Sequence, residues 1–502
     1  MIVHKFGGTS VGNAELFGEV ANIVMKQHGA MGIASDRERT SPFGGTVVVV
    51  SAMSGTTDQL IAGARAAAEG KDGSYREVKA ALLARHLEVV DQTLSQNRER
   101  MEVGGHIEDR LHDLERLYRS IGVLGELTAR GADAVASFGE QLSAPLLAAV
   151  LRERGERAQA LSATELIVTD DSFGSAIPLS VPTRQRLQTL VRPLVEDGVI
   201  PVITGYIAAT DKGVTTTLGR GGSDYTAAIV GAGLDADEVW IWSDVDGILT
   251  ADPHIVPQAR TLSELSYGEA TELAHFGAEV LHPKTIKPVI EHGIPLRIRN
   301  TFNPDHAGTL VVAEPSRDRE VLPAIISTTG LSLIAVGSQQ NRWVLHMAAR
   351  ALQSLSEAGV QVLMFSQSFS EQSLNLVVRE HDQAHCLNVL CREFGDGWDG
   401  TWSSLPLNGE FSGAGTFRTL GDFCSLGTKE KVATISVVGL PGTSGTSIAC
   451  QAFAALGKAG ARVIAVAQAA SEQSVSFCVP DQQLEDTVRL LHRELGLEDN
   501  HD

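Results

Sequence analysis

Met1-Ile2-Val3-His4-Lys5-Phe6-Gly7-Gly8-Thr9-Ser10 opens the chain as a short strand that runs straight into two glycines and two hydroxyl side chains. Glycine lets a backbone come close to a phosphate, and a lysine at the strand end can neutralise one. The spacing is not the GxxxxGK[ST] of a P-loop, so an ordinary strand-to-helix turn explains this stretch equally well when it is taken by itself. The residues around it set the fold. Apolar runs at Val47 to Val50, Ile200 to Thr204, Val239 to Trp242 and Leu296 to Ile298 read as buried strands. Between them, Asp133 to Glu153 and Asp224 to Leu234 carry apolar residues at three- and four-residue spacing, as helices do. Residues 1–313 are therefore expected to form an α/β domain on a mostly parallel sheet flanked by helices on both faces.

Glu314-Pro315-Ser316-Arg317-Asp318-Arg319-Glu320 is charged and contains proline, which places a linker at 314–324. Beyond it the chain repeats itself. Gln367-Ser368-Phe369-Ser370-Glu371-Gln372-Ser373 recurs 101 residues later as Gln468-Ala469-Ala470-Ser471-Glu472-Gln473-Ser474. In the same register Leu355-Ser356-Glu357-Ala358-Gly359 pairs with Leu456-Gly457-Lys458-Ala459-Gly460. Two small α+β modules are thus expected at 325–395 and 428–502, each reading as strand, helix, strand, strand, helix, a ferredoxin-like split βαβ pattern. In the second copy these elements are Ala433 to Val438, Ser447 to Ala459, Val463 to Ala467, Val475 to Val479 and Leu484 to Leu495. Residues 396–427, rich in Gly, Ser and Trp without clear periodicity, are taken as an inserted loop.

Composition narrows the function classes. With 502 residues, 43% hydrophobic and 20% charged, the chain is long enough for about three packed units of ordinary globular composition. A formal net charge of -20 with no Lys/Arg-rich stripe argues against nucleic-acid and anionic-membrane partners. A small anion bound in one cleft stays compatible with it, since local cations and backbone N–H groups set the field there. Five cysteines without a CxxC pair fit a reducing cytoplasm. No apolar run is read as long enough to span a bilayer, and no leader segment is seen.

Leu218-Gly219-Arg220-Gly221-Gly222-Ser223-Asp224 packs a cation, glycines and a carboxylate just before a helix expected to open at Asp224. A turn with an N-cap accounts for the glycines and the aspartate but gives the arginine no structural task. Trp242-Ser243-Asp244-Val245-Asp246-Gly247 closes an apolar strand, where ligands of open α/β sheets gather. A tight Asp-Gly turn explains it as well. Val50-Ser51-Ala52-Met53-Ser54-Gly55-Thr56-Thr57 is a similar hydroxyl-rich strand end, equally open. In Ser137-Phe138-Gly139-Glu140-Gln141-Leu142-Ser143 a mid-helix glycine costs about 1 kcal/mol against alanine, which points to close approach by another group. Glu140 beside it can be a site residue or a solvated one, and His282 before Pro283 reads as structural.

Together KFGGTS at 5–10, SAMSGTT at 51–57, SFGEQLSAP at 137–145, TTTLGRGGSDYTAA at 215–228, WSDVDGILTADP at 242–253 and FGAEVLHPKTI at 276–286 resemble the aspartate kinase family in order and spacing. The repeated modules resemble the tandem ACT domains of that family. The resemblance implies an amino acid kinase fold and ATP-dependent phosphorylation of the L-aspartate side-chain carboxylate to 4-phospho-L-aspartate, the first step toward lysine, threonine and methionine. It implies ATP and Mg²⁺ as cofactors, with Mg²⁺ bridging nucleotide phosphates and no metal site of the protein's own. Lys5 and Asp224 would be catalytic; Lys5 would stabilise the transferring phosphoryl group and Asp224 would organise the lysines. Ser51, Thr57, Glu140, Arg220 and Ser223 would bind aspartate, Arg220 clamping the α-carboxylate and Glu140 the α-ammonium. Gly7, Gly8, Gly221, Gly222, Ser243 and Asp244 would join Lys5 on the nucleotide.

By the same resemblance Gln367 and Gln468 match glutamines that contact an amino-acid effector, threonine or lysine, and the ACT modules would pair in a homodimer or higher oligomer. Departures fall on the nucleotide side, where many relatives have tyrosine at Leu249, arginine at His254 and lysine at Glu279; weaker or altered nucleotide binding is expected. Ser338-Gln339-Gln340-Asn341-Arg342 departs from a glycine-rich effector loop that Leu440-Pro441-Gly442-Thr443-Ser444-Gly445 retains. One effector site per chain is expected. With nothing after the second module, the chain is expected to be monofunctional. Two other readings are another kinase of this fold, such as a glutamate 5-kinase, and an amino-acid sensor without turnover. The ACT repeat and GRGGSD weigh against the first, and intact Lys5, Arg220 and Asp224 against the second.

Overall fold

The computed structural model describes residues 1–33, 45–275, 281–338, 345–368, 373–395, 407–411, 415–420, 424–439, 448–468 and 474–498. It divides into two compact units, one of residues Met1–Ile248 with Thr261–Arg319 and one of Leu249–Arg260 with Glu320–Asp502. The first contains strands β1 (Ile2–Phe6), β2 (Thr46–Val50), β3 (Ala158–Leu161), β4 (Val168–Thr169), β5 (Ile200–Thr204), β6 (Ile207–Thr210), β7 (Thr215–Thr217), β8 (Glu238–Ser243), β9 (Glu264–Ser266), β10 (Leu296–Asn300) and β11 (Thr309–Val312). Eight of them form one sheet in the order β3-β5-β2-β1-β8-β10-β11-β9, parallel except where β10 meets β11. A small sheet β4-β6-β7 stands beside it.

The Val47 to Val50 run is fully buried, as a central parallel strand covered on both faces must be. Side chains alternate across β1. Phe6 belongs to a core shared with Phe17 and Val20 of helix Ala14–Ile33 and with Leu146 and Leu147 of helix Phe138–Glu153. Val3 points to the other face, where a Cβ on Gly231 of helix Gly222–Leu234 would lie 3.9 Å from it and 2.5 Å from Val239. Lys5 shares that second face. The chain runs outward from β1 to β2 and β3, then returns to β8 on the other side of β1. The carboxyl ends of β1 and β8 therefore flank a reversal of strand order, the place where open α/β sheets form a crevice.

Two expectations need correction here. The helix after Arg220 starts at Gly222 with Gly221 as its cap, in the left-handed region at φ 68°, so Asp224 sits in the first turn instead of capping it. Its carboxylate is thereby free for another partner. The run Ala129–Glu153 is in fact apolar and long enough to cross a bilayer by composition, but its most apolar 18-residue window is 83% buried within this fold. It is two successive helices, Ala129–Ala136 and Phe138–Glu153, the second buried on most of its surface because protein surrounds it.

The second unit contains β12 (Ala324–Ser338), β13 (Met364–Ser368), β14 (Ser373–Arg379), β15 (Leu407–Phe411), β16 (Gly415–Leu420), β17 (Cys424–Val438), β18 (Ala465–Gln468) and β19 (Ser474–Pro480), with helices Leu345–Glu357, Gln383–Phe394, Ile448–Ala459 and Leu484–Glu494. Gln367 pairs with Leu374 and Gln468 with Val475, so the sequence repeat is also a repeat of backbone register. The two copies are not sequential units, however. Leu333 to Ser338 of β12 pair with Lys429 to Cys424 of β17, and Leu331 to Gly337 with β14, whereas Ala324 to Thr328 pair with Val438 to Thr434 of β17, beside β19. Each long strand crosses from one module into the other at a register shift between Thr328 and Leu333.

The expected loop at 396–427 also differs. Leu407–Phe411 and Gly415–Leu420 form an antiparallel hairpin added to β17, which begins at Cys424. The β-branched and aromatic residues of Thr416-Phe417-Arg418-Thr419-Leu420 suit a strand, a signal that the surrounding glycines and serines conceal. Residues 249–260, expected in the first domain, belong to the second unit. Ile255 and Val256 enter a core with Ile435, Phe477 and Leu491, the Thr250 hydroxyl lies 2.9 Å from His492 Nε2, and Arg489 donates to the Ile255 carbonyl. An isolated apolar pair on a loop gives no sign of which core it joins.

Candidate active site

Because Lys5 faces helix Gly222–Leu234, its ammonium meets the acid in that helix's first turn: Lys5 Nζ is 2.6 Å from Asp224 Oδ1, both side chains mostly buried. Glycine at Gly8 is required by a close approach, since a Cβ there would lie 2.9 Å from the Ala52 carbonyl and 3.3 Å from Ser54. The two strand-end loops, 7–12 after β1 and 51–55 after β2, are also held together by Arg85, which donates to the carbonyls of Gly12 (2.9 Å) and Ser54 (2.7 Å). Nothing in the sequence around Arg85 signals that task.

Glu140 lies in the first turn of helix Phe138–Glu153 and is buried. The close approach inferred from Gly139 is real: a Cβ there would come 2.6 Å from that of Ala52. Ser143 fastens the same contact by donating to the Ser51 carbonyl at 2.7 Å. The Ala52 N–H donates to Glu140 Oε1 at 3.2 Å, while Oε2 has no hydrogen-bond partner among the described residues. Burial pushes the carboxyl up to about 8, only partly opposed by backbone hydrogen bonds. It is thus held as a neutral acid near pH 7, with one oxygen that no cation among the described residues meets.

Arg220 is exposed and makes no ion pair among the described residues. Gly219 and Gly221 on either side of it are left-handed, at φ 78° and 68°. Ser223 is buried, and a Cβ on Gly205 after β5 would fall 2.6 Å from its hydroxyl. Tyr206, next along, is a non-glycine residue at φ 63°. Burial raises its phenol above the ordinary value; the Thr217 hydroxyl opposes that, and Glu140 and Asp133 add to it. Nothing in the sequence singles out Tyr206, where the visible signal is only Thr204-Gly205-Tyr206 at a strand end.

Ser51 and Thr57 are half-buried, at the end of β2 and in the first turn of helix Thr56–Ala68. At the end of β8 the Ser243 hydroxyl donates to Asp244 Oδ1 at 3.1 Å, and the Ser243 carbonyl accepts from Thr301 N–H. Asp246 accepts from Asn300 and Asn303, and Thr301 shares a 2.8 Å hydroxyl contact with Ser10 of the β1 loop. Lys284 donates to Ser175 Oγ at 2.6 Å, and His282 caps helix Pro283–His292 through Lys284 N–H, the structural task read for it. Glu279 lies outside the described residues. His254 is 3.0 Å from Asp252 on the surface of the second unit. Among the described residues no group of three or more His, Cys, Asp or Glu is arranged to hold a metal.

In the second unit Gln367 is half-buried with Nε2 unpartnered among the described residues, whereas Gln468 is exposed. The glycine-rich loop 440–445 and residues 339–342 of its counterpart lie outside the described residues.

An open, mostly parallel sheet whose central strand ends in a lysine and two glycines, faced by an aspartate in a helix's first turn, is the arrangement of a phosphate-handling α/β enzyme. Residues 1–300 match the amino acid kinase family, and residues 335–394 and 435–495 each match an ACT domain. Aspartokinase 1, chloroplastic, of Arabidopsis thaliana is 30% identical over 98% of this chain and 79% of its own length. Bifunctional aspartokinase/homoserine dehydrogenase 2, chloroplastic, of the same plant is 32% identical over 99% of this chain, which spans about half (50%) of that relative. The crystal structure of E. coli aspartokinase III in complex with aspartate and ADP superposes over 99% of this chain and 100% of its own, with a TM-score of 0.74 at 27% identity. The chain belongs to the amino acid kinase family and, within it, to the aspartokinases.

Proposed function

We propose that the chain phosphorylates the side-chain carboxylate of L-aspartate with ATP and that its ACT modules bind an amino-acid effector. The observation that carries the reading is the Lys5–Asp224 pair at the end of β1, in a chain similar along its whole length to an aspartokinase described with aspartate and ADP. Phosphoryl transfer asks mainly for positioning and for cations where charge gathers, and the substrate's own carboxylate is the nucleophile. Lys5 would meet the γ-phosphoryl oxygens, with Gly7, Gly8, Gly221, Gly222, Ser243 and Asp244 beside the nucleotide. Arg220 would take the α-carboxylate in its planar fork, and Ser51, Thr57 and Ser223 would supply hydroxyl contacts. The unpartnered oxygen of Glu140 fits the α-ammonium, whose arrival would ionise that carboxyl.

Mg²⁺ fits the donor set as an ion carried by the nucleotide, since such ions commonly take one or two carboxylates and otherwise phosphate and water. When bound it would offset charge on the β- and γ-phosphates. Effector binding through Gln367 or Gln468, assembly through the ACT modules and a cytoplasmic setting belong to the same proposal; one relative is described in complex with lysine and aspartate, and the plant relatives as chloroplastic. The test is ADP release by purified protein with ATP and Mg²⁺, with hydroxylamine added to trap an acyl phosphate as its hydroxamate. Aspartate-dependent turnover with hydroxamate formation is expected. Turnover with glutamate alone, or with neither, would sink the reading.

A further inference from the structure

Asp133 is 2% exposed and stands two helical turns before Glu140, on a helical run broken only at Ser137. Its carboxylate accepts three hydrogen bonds from two other segments. Gly174 N–H and Thr217 N–H donate to Oδ2 at 2.9 and 3.0 Å, and the Thr217 hydroxyl donates to Oδ1 at 2.7 Å. No cation pairs with it among the described residues, so these donors alone compensate its burial. Thr217 is the last residue of β7, immediately before Leu218-Gly219-Arg220. Gly174 and Ser175 form the floor of that turn: a Cβ on Gly219 would lie 3.2 Å from the Gly174 carbonyl and 3.1 Å from Ser175 Oγ. One buried carboxylate thus ties the helical run that leads into Glu140 to the turn that carries Arg220.

We infer that Asp133 is a positioning residue for substrate recognition: it sets the separation between Glu140 and Arg220, and so the fit of an amino acid gripped at its ammonium and its α-carboxylate, without touching the substrate itself. The inference rests on the assignment of those two groups to aspartate. It singles out the amino-acid substrate, because the Lys5–Asp224 pair and the ends of β1 and β8 take no part in these hydrogen bonds.

The chemistry of the site separates two substitutions. In Asp133→Asn the amide oxygen still accepts both N–H groups and the amide nitrogen can donate to the Thr217 hydroxyl, so the tie is kept without its charge. In Asp133→Ala all three donors lose their acceptor. Steady-state kinetics of the full chain, varying aspartate and ATP separately, should show the aspartate KM of Asp133→Ala raised about tenfold and the ATP KM changed less than about twofold. Asp133→Asn should stay within about threefold of the parent on both. Where Asp133→Ala does not fold, Thr217→Val removes one of the three bonds and should raise the aspartate KM about threefold with the ATP KM unchanged. Parallel changes in both KM values, an Asp133→Asn as impaired as Asp133→Ala, or a Thr217→Val with neither KM moved would overturn the inference. Arg220→Ala run alongside separates the two levels: an aspartate KM unmoved there removes the site assignment and this inference with it. If Arg220→Ala raises that KM and Asp133→Ala does not, the positioning role alone fails.

Discussion

Two helix starts in the first unit carry the same elements, a glycine and an acid in the first turn, and give the acid opposite kinds of partner. At Gly222-Ser223-Asp224 the acid faces Lys5 and is compensated at 2.6 Å by a charge from the protein itself. At Phe138-Gly139-Glu140 the acid faces a backbone N–H and an apolar core, and burial keeps its proton on to about pH 8. The difference lies not in the helices but in which face of which strand each one covers. The first region is complete before any ligand arrives. The second leaves one carboxyl oxygen without a partner among the described residues, and the proposed α-ammonium contact there would let the site distinguish an amino acid from a plain dicarboxylate.

The largest effect should come from removing the charge of the completed region. Asp224→Asn leaves Lys5 without its partner, and kcat for aspartate-dependent ADP release should fall about a hundredfold or more with a much smaller change in either KM. A parent-like kcat would end the contrast between the two regions. The next effect is on stability, through Glu140. Between the ordinary carboxylate value of 4.5 and about 8 the folded state holds a proton that the unfolded chain has released, so stability declines as pH rises across that window. Glu140→Gln should flatten this decline, a difference on the order of a few kcal/mol at most by pH 8. Thermal unfolding of both proteins between pH 5 and 8 checks it, and equal slopes would mean that Glu140 is not held neutral.

The smallest effect lies in the second unit, where His492 offers a buried titrating group that has no part in the proposed site. Burial lowers its pKa, so its contribution is present above the unfolded value of 6.5 and is lost as pH falls below it, the same direction as an ordinary buried base. Thr250→Val removes the hydroxyl at its Nε2 and should cost about 1 kcal/mol. Calorimetry should show the loss in the transition of the second unit and none in kcat.

Much of this was legible in the sequence because its signals are local. The valine run of β2, the glycine beside Glu140 and the 101-residue repeat each carry their meaning within a few residues. What stayed hidden depends on partners far along the chain. Asp133 and Arg85 resemble any acid and any base on an amphipathic helix until Thr217, Gly174, Gly12 and Ser54 are brought to them. Tyr206 is unusual only in its backbone angle, which follows from the turn it closes. The segment 249–260 has too few apolar residues to declare a core of its own, and β12 and β17 read as one strand per module because periodicity does not say where a long strand changes partners.

That exchange of partners makes the duplicated modules inseparable by cutting. A break in the chain after residue 395 would leave the first copy without the half of β17 that closes its sheet, and would leave the second without the start of β12. What began as two copies of one unit has become a single heritable piece: neither can be deleted, transplanted or allowed to decay alone, and a copy that no longer served as a receptor would still be kept as scaffolding for its twin.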